Sequence, residues 1–172
     1  SQRGAKKTQG SGGGKDRGKP KKTGEKGKCG EWLAKQDMMQ EGFDEVVAVQ
    51  NNSGHGVDMI GRNSKTGEVK VWEVKTTDGS SAPSLSKPQA AMGGEKYTND
   101  RLGRAVGGKG NYGKVPKAMR NAKAAREWIN EAKEAGKPVT YQKREVFIDD
   151  ISKGCAKNPN KPSRSKPWTA KE

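Results

Sequence analysis

Val57-Asp58-Met59-Ile60-Gly61-Arg62, then Asn63-Ser64-Lys65-Thr66-Gly67, then Glu68-Val69-Lys70-Val71-Trp72-Glu73-Val74-Lys75-Thr76 is the stretch whose reading decides the fold. Two runs rich in β-formers flank a short polar segment ending in Gly67, which is the pattern of a β-hairpin. A loop of four or five residues makes paired positions sum to about 130 or 131, so Asp58 lies opposite Trp72 or Glu73. Side chains alternate along a strand, so Glu73 and Lys75 share a face. Two carboxylates and one ammonium therefore converge by local geometry.

Upstream, Asn51-Asn52-Ser53-Gly54-His55-Gly56 is turn chemistry, and the Val-rich run from Phe43 to Gln50 reads as a buried strand. A short helix from Gly30 to Met39 precedes it and stops at Gly42. Downstream, Thr77 to Ser86 is a Ser/Gly/Pro loop, and a helix starts at Lys87-Pro88 and runs to about Val106. Gly107 to Pro116 is a glycine-rich basic loop. Lys117 to Ala135 is the clearest helix: Ala118, Ala122, Ala125, Ile129 and Ala132 line one face before Gly136 and Pro138 end it. Val139 to Ile148 reads as a last strand. The order α-β-β-β-α-α-β predicts a mixed α/β layer over residues 30–152.

The remainder is basic. The 172 residues carry 35 Lys/Arg against 20 Asp/Glu, a formal net charge of +15 with pI about 9.9, and only 28% are hydrophobic. Residues 1–29 are expected to be a disordered arm, since Ala5 and Cys29 are their only apolar side chains. Residues 153–172 are expected to be a second basic, Pro-containing tail, pinned at most by Trp168. Between the tails the charge is polarised: residues 31–60 set Lys35 against six acids, and residues 96–126 set nine Lys/Arg against Asp100. An acidic cluster beside a basic surface suits a site that binds a cation and a polyanion together.

Several function classes fall by counting. No apolar run approaches the roughly 18 residues of a spanning helix. The polar N-terminus does not read as a signal peptide, and a start at Ser1 suggests an excised fragment. Cys29 and Cys155 are the only cysteines, so neither a disulfide framework nor a four-ligand structural zinc site is expected. His55 is the only histidine, which excludes two-histidine metal motifs. An enzyme built from this chain must work with carboxylates and lysines.

Asp58 and Glu73 repel at hairpin distance unless a cation sits between them. Hard cations take oxygen ligands, typically one or two carboxylates plus water and phosphate oxygens. Mg²⁺ is the expected ion, with Mn²⁺ or Zn²⁺ as alternatives. Lys75 beside it can orient a water or balance charge on a phosphodiester. The parts suit metal-dependent phosphodiester hydrolysis.

The Gly30-Glu31 helix, Asp58 at a strand start, Glu73-Val74-Lys75 on the next strand and a following helix resemble the PD-(D/E)XK restriction-endonuclease-like nucleases. The continuation Thr76-Thr77 … Leu85-Ser86-Lys87-Pro88-Gln89 … Gly93 … Tyr97 is similar to the helix after E-x-K in many bacterial toxin nucleases of that fold, the tips of contact-dependent inhibition, Rhs and type VI effectors. Val57 stands where the family name has Pro. The resemblance covers residues 30 to 106. It implies that Asp58 and Glu73 bind metal, that Lys75 is catalytic, and that Glu31 and Gln89 support the site. Gln89 and Lys96 are expected to share a helix face, and His55 to stand near the scissile phosphate. Lys96, Arg101, Arg104, Lys109 and Lys114 are expected to follow a phosphate track, with Tyr112 stacking on a base.

The resemblance further implies a DNase toxin domain, delivered as the tip of a larger secreted protein, acting in a target-cell cytoplasm and held in check by an acidic immunity protein. The same fold could cleave RNA such as tRNA, and a basic chain without chemistry could simply bind nucleic acid. The Asp58–Glu73–Lys75 convergence separates the nuclease from the pure binder.

Overall fold

The computed structural model describes residues 25–171, and residues 1–24 of the arm expected over 1–29 lie outside them. In chain order the elements are helix α1 (Lys26–Gln40), strands β1 (Glu45–Gln50), β2 (Gly56–Arg62) and β3 (Val69–Thr77), helices α2 (Lys87–Val106) and α3 (Pro116–Glu134), and strands β4 (Val139–Phe147) and β5 (Arg164–Pro167). One sheet runs β1-β2-β3-β4-β5. The first three strands are antiparallel neighbours, β4 joins β3 in parallel, and β5 joins β4 antiparallel. This is the mixed α/β architecture expected. Among the described residues no helix is long and apolar enough to cross a membrane.

The sheet separates two cores. On one face α1 packs Leu33, Ala34 and Met38 against Met59, Trp72, Val74 and Val146. On the other, α2 and α3 cover Ile60, Val69 and Val71 with Tyr97, Leu102 and the alanine face of α3. The predicted face of α3 is buried residue for residue: Ala118, Ala122, Ala125, Ile129 and Ala132. Parallel pairing of β3 with β4 needs a crossover, and α2 and α3 supply it.

Two expectations are corrected, and a third feature lies outside them. First, α1 begins at Lys26, so the end of the expected arm is helical and Cys29 is fully buried. Second, the C-terminal segment is no tail. A 3-10 turn over Ile151–Lys153 leads it back, Arg164–Pro167 pair with β4, and Trp168 is only 3% exposed. A four-residue Arg-Ser-Lys-Pro strand at a sheet edge has no apolar alternation, because charge and proline are what edge strands tolerate.

Third, Cys29 and Cys155 form a disulfide across 126 positions, with Cα atoms 5.5 Å apart. Counting two cysteines does not exclude a bridge. It excludes only a framework of several. The bridge ties α1 to the segment following β4, and closing so long a loop stabilises the fold by roughly 2–5 kcal/mol.

Candidate active site

The β2–β3 pairing has the predicted register, with Met59 opposite Trp72 and Ile60 opposite Val71. It ends there, and Asp58 turns its carboxylate into the gap where the strands part. Asp58 Oδ2 accepts the Val74 backbone N–H at 2.9 Å, and Oδ1 accepts Gln50 Nε2 at 2.9 Å. Both oxygens are thus oriented from the protein side. Gln50 Nε2 also lies 3.5 Å from Glu31 Oε2, so one amide at the end of β1 spans two carboxylates.

Glu31 reaches this point because α1 lies close on β3. A Cβ at Gly30 would fall inside the Thr76 side chain, so only glycine permits the approach. The Gly30-Glu31 pair therefore has a physical reading: the first residue lets the helix down and the second delivers a carboxylate.

Glu73 is 4% exposed, and its Oε1 is buried without a hydrogen-bond partner. Lys75 Nζ stands 3.5 Å from Glu73 Oε2 on the same face, as strand alternation requires. Burial, then the charge of Asp58, push the Glu73 carboxyl up to about 9, against the pull of Lys75 and the Gln89 amide. The same two causes raise Glu31 to about 7, with Gln50 and Lys28 opposing. Three acids are thus crowded beyond what Lys75 and Lys28 balance.

Gln89 is held from two sides. Its Oε1 accepts the Ser86 N–H at 2.9 Å while Ser86 Oγ accepts the Gln89 N–H at 3.3 Å, a reciprocal cap at the start of α2. With Oε1 so engaged, the amide nitrogen is the end left for Glu73. Trp168 Nε1 donates to the Gln89 carbonyl at 2.9 Å, so the C-terminal segment braces this residue. Gly93, at φ +77°, breaks α2 one turn later, and Gly94 N–H donates to Trp168 O at 2.9 Å. The break also corrects an expectation. Gln89 is buried and Lys96 exposed, because the helical phase is lost between them.

The expected nucleic-acid contacts divide. Lys96, Arg104, Lys109, Lys114 and His55 are exposed. Tyr112 is 2% exposed, so its ring is not offered to a base. It serves the scaffold instead: Tyr112 OH donates to His55 O at 3.3 Å, and Asn51 Nδ2 donates to Gly110 O at 2.9 Å. These bonds dock the glycine-rich loop on the turn that leads into Asp58. Arg101 pairs with Asp100 and stacks 4.2 Å over Tyr97, with its side chain only 15% exposed. It too is largely structural.

The structure therefore brings together Glu31, Asp58, Glu73, Lys75 and Gln89, and adds Gln50. The sequence held a signal for Gln50: a polar residue closing an apolar strand, across the turn from the Asp58 strand. Among the described residues no group of three His, Cys, Asp or Glu side chains is placed to hold a metal ion. The donor set is instead a few carboxylates with one unpartnered buried oxygen, which fits a hard cation completed by water and phosphate. Zn²⁺ is less well served, since both cysteines bind each other and His55 points to solvent. Comparison with family models, curated proteins and solved structures gives no match.

Proposed function

We propose that this chain is a metal-dependent nuclease of the PD-(D/E)XK kind, hydrolysing phosphodiester bonds of nucleic acid. The observation that carries the reading is the crowding of Glu31 and Glu73 on Asp58, with Glu73 Oε1 buried and unpartnered and Lys75 beside Glu73. A scaffold gains nothing by burying acids this way, and such perturbed groups cluster at functional sites.

Asp58 and Glu73 would hold Mg²⁺ or Mn²⁺, with Glu31 and Gln50 fixing their surroundings. An ion bound there supplies Lewis acidity toward the phosphodiester and lowers the pKa of water. Lys75 supplies the positive charge that the phosphoryl oxygens need as negative charge builds on them. Gln89 holds Glu73 in place. DNA is the proposed substrate, and RNA is the competing outcome.

The Cys29–Cys155 disulfide supports a chain that passes through an oxidising compartment, as a delivered toxin does before acting in a target-cell cytoplasm. A producer of such a toxin needs a cognate immunity protein, and the exposed cations of α2 and its following loop favour an acidic one. Plasmid DNA and total RNA, each incubated with the protein in Mg²⁺ or in EDTA, test the reading. Cleavage only with Mg²⁺ is expected, and no cleavage of either polymer would overturn it.

A further inference from the structure

On the sheet face that carries Glu73 and Lys75, the register continues the pattern across two more strands. Glu73 pairs with Lys143 and Lys75 with Glu145. Lys143 in turn pairs with Lys166, and Glu145 with Arg164. Paired residues share a face, so these side chains form one array leading away from the site. Glu145, 2% exposed, gathers its cations: Lys143 Nζ at 2.7 Å, Arg164 Nε at 2.7 Å and Lys166 Nζ at 3.6 Å. The next position along β4, Phe147, carries Lys161 at 5.0 Å and Arg164 at 5.4 Å over its ring.

One carboxylate does not neutralise four cations. The side chains of Arg164 and Lys166 are 56% and 50% exposed, so their outer faces are open to a second anion. Glu145 and Phe147 hold the cations at fixed places, which lowers the entropy lost when a ligand binds. We propose that Lys143, Lys161, Arg164 and Lys166 form a strip that binds the sugar–phosphate backbone beside the bond being cleaved. This rests on the phosphodiesterase reading of the site. Two strand spacings separate β3 from β5, about 9.5 Å. Successive phosphates of one strand stand further apart through space than their rise along the axis, so the strip meets the phosphates nearest the scissile one. The contacts are to backbone alone and carry no sequence preference.

The test is binding in EDTA, where no cleavage intervenes, to a 20-base-pair DNA duplex and to a single-stranded RNA of equal length, over a range of salt. Arg164→Gln with Lys166→Gln should flatten the slope of log affinity against log salt, by about 1.8 on the duplex or about 1.4 on the single strand, for the polymer that the parent cleaves. Lys65→Gln with Lys137→Gln removes equal charge at the hairpin end of the sheet and should leave the slope unchanged. An unchanged slope in the Arg164/Lys166 variant overturns the strip even where the parent cleaves, so its failure is distinct from failure of the nuclease reading. A parent that binds neither polymer also overturns the strip, while the nuclease reading is decided by cleavage in Mg²⁺.

Discussion

Glu73 and Glu145 stand on adjacent parallel strands, on the same face of the sheet and two register positions apart, and both are buried. Their chemistry is opposite. Glu73 meets Asp58 with one ammonium at 3.5 Å, and its carboxyl rises to about 9. Glu145 is also opposed by burial, but bonds from Lys143 and Arg164 and the charge of Lys143 and Lys166 outweigh it, drawing it to about 2. Burial opposes charge at both; at Glu73 it is the largest cause and Asp58 adds to it, whereas at Glu145 the surrounding cations outweigh it. One end of the face has more acid than Lys75 balances, and the other has cations to spare. A bound metal ion with a polyanion would balance both.

The largest effect is expected on the rate. Asp58→Ala and Lys75→Ala should each lower cleavage at least a hundredfold, measured under Mg²⁺ with melting curves confirming the fold. A rate within a few-fold of the parent would remove that residue from the site.

Next is the tie between the two regions. Cys29→Ser with Cys155→Ser removes the covalent tie between α1, which carries Glu31, and the segment that supplies β5, leaving the Asp37–Lys157 ion pair. Stability should fall by roughly 2–5 kcal/mol in urea unfolding. An unchanged midpoint would show the bridge to be idle.

Smaller, and opposite in sign, are two isosteric changes. Glu145→Gln removes the anion that gathers three cations and should destabilise by about 1–3 kcal/mol. Glu73→Gln relieves repulsion in the metal-free protein and should leave its melting temperature equal or higher at pH 8. Destabilisation by both would mean that Glu73 is an ordinary structural acid.

The pH profile of stability is the finest comparison. Glu31 and Glu73 have raised values, so the metal-free folded state holds protons that the unfolded chain releases near 4.5. Their contribution is full below that value and is lost as pH climbs through about 7 and about 9. Glu145 is depressed, so its contribution is full above 4.5 and is lost as pH falls toward 2. The melting temperature without metal should thus peak near pH 4.5–5, and Mg²⁺ should flatten the alkaline fall. A rise from pH 5 to 8 without metal would contradict the account.

Local pattern made the hairpin legible. Alternation put Glu73 and Lys75 on one face, and loop length fixed Asp58 beside them. The alanine spacing of α3 was equally plain. What escaped was non-local. Arg164–Pro167 has no apolar alternation, and only the edge of β4 makes it a strand. The Cys29–Cys155 bridge spans 126 positions, beyond any local rule. Tyr112 looked like a stacking residue because its loop is basic, but burial is set by a turn more than fifty residues upstream.

The central claim is that Glu73 belongs to a metal-dependent phosphodiesterase site, and the direct measurement is cleavage by a folded Glu73→Ala protein in saturating Mg²⁺. The account predicts at least a hundredfold loss relative to the parent, with the melting transition retained. Cleavage at the parental rate would contradict it.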